Sequence, residues 1–191
     1  MRKLALFAAV AAIIFAPVAH AQNHGEVGVF VDYFRLHQTS SNFVGLGARA
    51  AFNIKPAVQF EAEMAYDFNR AFVESFTDTE GRVTTQNSNI KVLHGLFGPK
   101  IQTTGPVRVF VTVKGGFTNF RFDPRPATVA GFKDSVGSLR DENVSGVLYP
   151  GAGAEAFFGP IGLRVDVGDE IIFNNGGHHN WKVTFGPQIR F

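Results

Sequence analysis

Residues 59–67 read QFEAEMAYD, and the period of this stretch decides the fold. Phe60, Ala62, Met64 and Tyr66 alternate with Gln59, Glu61, Glu63, Ala65 and Asp67. A helix would scatter the three carboxylates around its circumference, whereas a strand lines them up on one face. The same two-residue period recurs along the chain. Val27, Val29, Val31 and Tyr33 form one apolar row, and Val44, Leu46, Ala48, Ala50 and Phe52 form the next. Val107, Val109, Val111 and Val113 follow, then Ala152, Ala154, Ala156 and Phe158, then Ile161, Leu163, Val165 and Val167. Trp181, Val183, Phe185, Pro187, Ile189 and Phe191 make the last row. Residues 89–101 also read as a strand, with an ambiguous phase. The pattern predicts eight strands and almost nothing helical after Gln22.

The connections alternate as well. Residues 53–56, 103–106 and 159–162 each carry a Pro, the last two with Gly, in the manner of tight turns. Between them lie longer, polar connections at 37–42, 70–88, 123–143 and 174–180. All short turns fall at one end of the strands and all loops at the other, as in an up-and-down membrane barrel with short periplasmic turns. Phe97-Gly98-Pro99-Lys100-Ile101 and Phe185-Gly186-Pro187-Gln188-Ile189 form a weak repeat, echoed by Phe158-Gly159-Pro160-Ile161. Proline removes a ladder donor, so a bulge or ladder end is expected at Pro99, Pro150 and Pro187, with a further bulge at Gly115-Gly116.

The first 21 residues have the three parts of an export signal. Met1-Arg2-Lys3 is positive, residues 4–15 are apolar without interruption, and Ala19-His20-Ala21 is a small-x-small cleavage site. The apolar run is shorter than the roughly 20 residues of a membrane-spanning helix. Cleavage would leave 170 of the 191 residues, 22–191, as one barrel domain. Without Arg2 and Lys3 the 18 basic residues become 16, equal to the 16 Asp and Glu, so charge gives no argument for nucleic acid. The chain has no Cys, which excludes a disulfide scaffold, a thiol nucleophile and a Cys-bound metal.

Periodicity alone does not say whether the apolar rows face lipid or a core. Three features favour lipid. The polar rows mix glycine with charges of both signs: Gly45, Gly47 and Arg49; Glu61, Glu63 and Asp67; Lys114; Gly151, Gly153 and Glu155; Arg164 and Asp166; Lys182 and Arg190. The interior of an eight-stranded barrel is only just wide enough for side chains, and small residues beside ion pairs fill it. Aromatic residues cluster near strand ends at Tyr33, Phe43, Phe52, Tyr66, Phe68, Phe158, Phe173 and Trp181, where membrane barrels place girdles. Finally, the last strand ends in Phe191, with Phe185 and Ile189 on its apolar row.

That ending resembles the C-terminal signature by which bacterial outer-membrane barrels are recognised by their assembly machinery, although Pro187 departs from the usual pattern. The chain as a whole resembles the small eight-stranded barrels of the outer membrane protein A/X superfamily, through its pattern over residues 22–191 and not through a long shared motif. The resemblance implies an all-β fold: a single eight-stranded antiparallel up-and-down transmembrane β-barrel in the outer membrane. It implies contact with membrane lipid and lipopolysaccharide and with the barrel assembly machinery. The peptidoglycan-binding domain of larger members is not expected.

Within such a barrel, the expected interior ion network is Arg49, Glu61, Glu63, Asp67, Lys114, Glu155, Arg164, Asp166, Lys182 and Arg190. Its acids and bases should pair, because an unpaired buried charge costs several kcal/mol. A self-satisfied plug is the favoured reading, and a narrow pore is the alternative. Some barrels of this kind modify lipid A with His, Ser and acidic residues. Here His178-His179-Asn180 lies near Asp169 and Glu170, but Asn180 stands where such a hydrolase would have Ser. The histidine pair makes a poor metal site, because adjacent strand residues point apart. His94 reads as an interior hydrogen-bonded histidine. No catalytic residue, cofactor, metal or nucleic-acid partner is expected. The expected role is envelope structure or surface interaction through the loops at 70–88 and 123–143. A lipid A-modifying enzyme and a secreted lipocalin-like carrier remain as further alternatives.

Overall fold

The strands pair in sequence into a closed antiparallel barrel, the first strand against the last. The computed structural model describes residues 24–38, 40–77, 83–123, 144–174 and 176–191. The export-signal reading of residues 1–21 lies outside them, as does most of the loop at 123–143. The strands are β1 (Gly25–Leu36), β2 (Ser41–Lys55), β3 (Val58–Thr77), β4 (Val83–Gln102), β5 (Val107–Asp123) and β6 (Val144–Phe158). β7 comprises Ile161–Asp169 and Ile171–Phe173, and β8 comprises Gly177–His178 and Trp181–Arg190. The two pieces of each keep a single register with their neighbours. Every strand pairs antiparallel with the next, and β1 pairs with β8, from Glu26 opposite Arg190 to Arg35 opposite Trp181. The Phe191 N–H donates to Gly25 O at 3.0 Å and the Gly25 N–H returns to Phe191 O at 2.9 Å, which extends this seam to the turn end.

The barrel is apolar outside and ionic inside. Val109 is 58% exposed and Phe158 78%, while Lys100, Lys114 and Lys182 are at 0%. A soluble carrier needs the opposite arrangement, so the lipocalin-like alternative is set aside. Tyr33, Phe52, Tyr66, Phe68, Phe158, Phe173 and Trp181 face outward near strand ends. Phe43 does not belong with them: it shares the inward phase of Gly45, Gly47 and Arg49 and is buried. The phase of β4 is fixed by its neighbours, with Val92, His94, Leu96 and Lys100 inward and Phe97 and Ile101 outward.

Prolines interrupt the ladder without shifting it. Pro99 is opposite Phe60 on β3, but pairing to β5 skips from Phe97–Gly115 to Lys100–Thr112 in unchanged register. Pro187 is opposite Leu163 on β7, and pairing to β1 skips from Gly28–Gln188 to Val31–Phe185. Pro150 is opposite Val113, and pairing to β7 skips from Leu148–Ile171 to Gly151–Gly168. Each proline thus keeps one neighbour and loses the ladder on the other side. The ladder ends expected at these prolines are therefore present, while the bulge expected at Gly115-Gly116 is absent. The register shifts fall between Asp67 and Arg70 and between Asn53 and Lys55 instead.

The expected loop at 70–88 also needs correction. β3 and β4 continue as a paired ribbon from Arg70–Ile90 out to Thr77–Val83, whereas β2 leaves β3 at Gly45–Asp67. Mixed composition hid this ribbon, because residues 70–77 and 83–88 offer no uniform apolar row to reveal a strand. Only residues 78–82 remain as its connection, and they lie outside the described residues.

Candidate functional site in the barrel lumen

Alternate residues of all eight strands project inward, so a lumenal layer collects side chains distant in sequence. Nearest the turns, Lys100 Nζ lies 3.2 Å from both carboxylate oxygens of Glu155 and 3.5 Å from Glu26 Oε2. Arg108 Nη1 donates to Glu26 Oε1 at 2.9 Å, and Gln188 Nε2 to Glu155 Oε2 at 2.8 Å.

The middle layer is the densest. Lys114 Nζ sits 2.6 Å from Glu61 Oε1 and 2.7 Å from Glu63 Oε2. Arg164 grips Glu61 with both terminal nitrogens, and its Nη2 also donates to Asp166 Oδ2 at 2.7 Å. Arg49 donates to Thr184 Oγ1 at 2.7 Å and lies 3.7 Å from Asp166, whose other oxygen accepts the Tyr149 hydroxyl at 2.7 Å.

Toward the loops, Lys182 Nζ is 2.9 Å from Asp32 Oδ2 and 3.3 Å from Glu170 Oε2. The His94 ring stands between two acids, with Nδ1 2.6 Å from Glu170 Oε1 and Nε2 3.0 Å from Asp67 Oδ2. Thr118 Oγ1 donates to Glu170 Oε1 at 2.8 Å. Beyond this layer the lumen turns apolar. Phe34, Leu36, Phe43, Ile90, Val92, Phe120, Val147 and Ile172 pack into one buried cluster at the loop end.

Glycine and aromatic rings set the width of these layers. A Cβ on Gly47 would come within 2.3 Å of the Phe30 ring, and the Arg49 guanidinium carbon lies 4.2 Å from that ring's centroid. Tyr149 repeats the arrangement, lying over Gly151 and Gly168 with Lys114 Nζ 5.4 Å from its centroid. Glycine lets a ring lie flat on the barrel wall, and the ring face then receives a cation.

Nine of the ten residues expected in the interior network are therefore deeply buried and hydrogen-bonded or ion-paired: Arg49, Glu61, Glu63, Asp67, Lys114, Glu155, Arg164, Asp166 and Lys182. Arg190 stands apart at the turn rim, where its Nε donates to Gly159 O at 2.9 Å. Glu26, Asp32, Lys100, Arg108 and Glu170 complete the layers and escaped the sequence reading. Glu26 and Asp32 could have been found there, since they share the inward phase opposite Val27, Val29 and Val31. Lys100 was hidden by the ambiguous phase of β4.

Two groups of ligand-type atoms, Asp32/Asp67/His94 and Glu61/Glu63/Asp166, each lie within 4.8 Å of one another. Neither set is free to take a metal. Both His94 nitrogens face carboxylates, Lys182 occupies Asp32, and Lys114 and Arg164 already neutralise the second group. In the loop-end histidine pair, His178 Nε2 faces Asn174 O at 3.0 Å while His179 Nδ1 faces Asp169 Oδ2 at 2.5 Å. Asn180 is structural: its side-chain amide donates to the carbonyls of Glu170 and His178, and its oxygen accepts from the His37 N–H.

Known structures share this architecture. Neisserial surface protein A aligns with a TM-score of 0.56 at 10% identity, covering 88% of this chain and 96% of that one. The fold is that of the small eight-stranded outer-membrane β-barrels. OprG of Pseudomonas aeruginosa aligns at 0.52 with 11% identity, over 88% of this chain and 96% of its own. Ail, the attachment invasion locus protein of Yersinia pestis, solved in complex with the heparin analogue sucrose octasulfate, aligns at 0.52 with 14% identity over 88% and 97%. No family model matches the chain, and no curated protein sequence does.

Proposed function

We propose that this protein is a non-catalytic, non-conducting barrel of the bacterial outer membrane, exported by residues 1–21 and presenting its loop end to the exterior. The observation that carries the reading is the filled lumen: three ion-paired layers lie beneath a buried apolar cluster. A route for solute through that stack would break buried charge pairs and open a packed apolar layer together. The apolar outer wall fits lipid. In this orientation the three tight turns face the periplasm and the β3–β4 ribbon extends outward. Loops on a rigid scaffold are where binding usually resides, so the partner surface is assigned there. Phe185, Ile189 and Phe191, on the outer face of the closing strand, are the proposed contact for assembly machinery.

The test is conductance of the purified barrel in planar bilayers. A silent bilayer, together with a heat-dependent gel shift in the outer-membrane fraction, is expected. Discrete current steps abolished by Glu61→Gln would replace the plug with a gated pore. A lipid A-modifying activity is weighed separately, by mass spectrometry of lipid A from cells with and without the protein. Unchanged acyl chains are expected.

A further inference from the structure

At the turn end the lumen widens into a vestibule of about 690 Å³ whose lining includes His24, Lys55, Thr104, Arg108 and Arg190 and, among the described residues, no carboxylate. Two of its cations are crowded. The guanidinium carbons of Arg108 and Arg190 lie 4.9 and 4.5 Å from the centroid of the same ring, that of Phe157. Arg108 has the carboxylate of Glu26, which is shared with Lys100, and donates its Nε to Gly105 O. Arg190 donates its Nε to the carbonyl of Gly159 and, among the described residues, pairs with no carboxylate. Lys55 is exposed on the same rim and has no acid partner among the described residues.

A second observation lies just inside. Gln59 and Gln102 point into the lumen at 0% and 4% exposure, and neither the nitrogen nor the oxygen of either amide is bonded to a protein group. Gln59 is the cross-strand partner of Asn53, a vestibule residue, and Gln102 is opposite Phe110, one inward position above Arg108. Buried amides with no partner are costly, as are like charges gathered on one ring. Forked guanidinium donors together with neutral amide donors suit an oxyanion with several acceptor oxygens.

We propose that this vestibule is a binding site for a small, multiply charged oxyanion of the oligophosphate or polycarboxylate class. Arg190 and Lys55 supply charge, and Arg108 closes the inner side. That the ligand arrives from the periplasm rests on the orientation given above; the site itself does not depend on it.

The experiment uses the folded barrel in zwitterionic detergent, where both ends are accessible, with fold checked by the heat-dependent gel shift. Inorganic pyrophosphate and citrate are titrated separately by calorimetry, at low salt and again at about 0.15 M salt, where exposed charges are screened beyond roughly 8 Å. Saturable binding of at least one anion is expected, weakened about tenfold or more in the Lys55→Gln/Arg190→Gln double variant, which retains the ion-paired layers. Binding of pyrophosphate alone assigns the site to phosphates, citrate alone assigns it to carboxylates, and binding of both assigns it to charge. Absence of saturable binding by either anion, or equal binding by the double variant, would overturn the site. Loss of the gel shift in the unsubstituted protein would count against the barrel instead.

Discussion

At Glu61 two cations converge, Lys114 at 2.6 Å and Arg164 through both terminal nitrogens, and the carboxylate is fully buried. Removing its charge leaves two buried cations with less compensation, a situation that costs about 3–5 kcal/mol where one partner of a buried pair is lost. Glu61→Gln is therefore expected to lower the urea midpoint of the refolded barrel markedly. The pair Glu61→Gln with Arg164→Gln should cost less than the sum of the single changes, because it removes both signs together. Additive losses would mean that the two side chains do not act as a pair. Gly47 makes a steric prediction. Its missing Cβ leaves room for the Phe30 ring that Arg49 covers, so Gly47→Ala should destabilise by about 1–3 kcal/mol through overpacking. The same change at Gly146, where a Cβ would meet nothing within 4 Å, is the control expected to cost far less.

Among the strands, β5 gives the clearest test of which face meets lipid. Val111 is exposed on the outer row between Val109 and Val113, and Thr112 beside it is buried in the lumen. Arginine on the lipid face near the bilayer midplane costs about 2–4 kcal/mol in membrane barrels. Val111→Arg should therefore lower stability by that amount in lipid vesicles, as read from unfolding midpoints. A neutral effect would argue that this face meets water. Strand assignment was legible wherever one face is uniformly apolar, as in β1, β2, β5 and β8. It failed where that contrast vanishes: β3 and β4 run on through residues 70–77 and 83–88 as a two-stranded ribbon. Proline positions marked breaks in pairing, and of the two forms expected there it is the ladder end, not the bulge, that occurs. Loss of one N–H ends a ladder contact without inserting the extra residue that a bulge requires.

For the molecule as a whole, the stacked layers predict redundancy in closing the lumen. Phe34 and Phe120 belong to the apolar cluster, and truncating a buried Phe to Ala costs about 3–5 kcal/mol. The double variant Phe34→Ala/Phe120→Ala should lose stability yet stay electrically silent in planar bilayers, because the ion-paired layers beneath still fill the barrel. Current steps in this variant would show that the apolar cluster alone holds the lumen shut.

Strand count, up-and-down order, the separation of short turns from long connections and most of the charged inner row were legible in the amino-acid string. These follow from a period of two residues and from local turn chemistry, which a linear string records directly. Tertiary structure decided what depends on closure. It put Lys100 and Arg108 with Glu26, set His94 between Asp67 and Glu170, turned Phe43 inward and left Arg190 at the rim. Register and curvature determine which inward residues share a layer, and one string of residues contains neither. Glu61 and Arg164 are 103 residues apart in sequence, and only the closed barrel brings them into one ion pair.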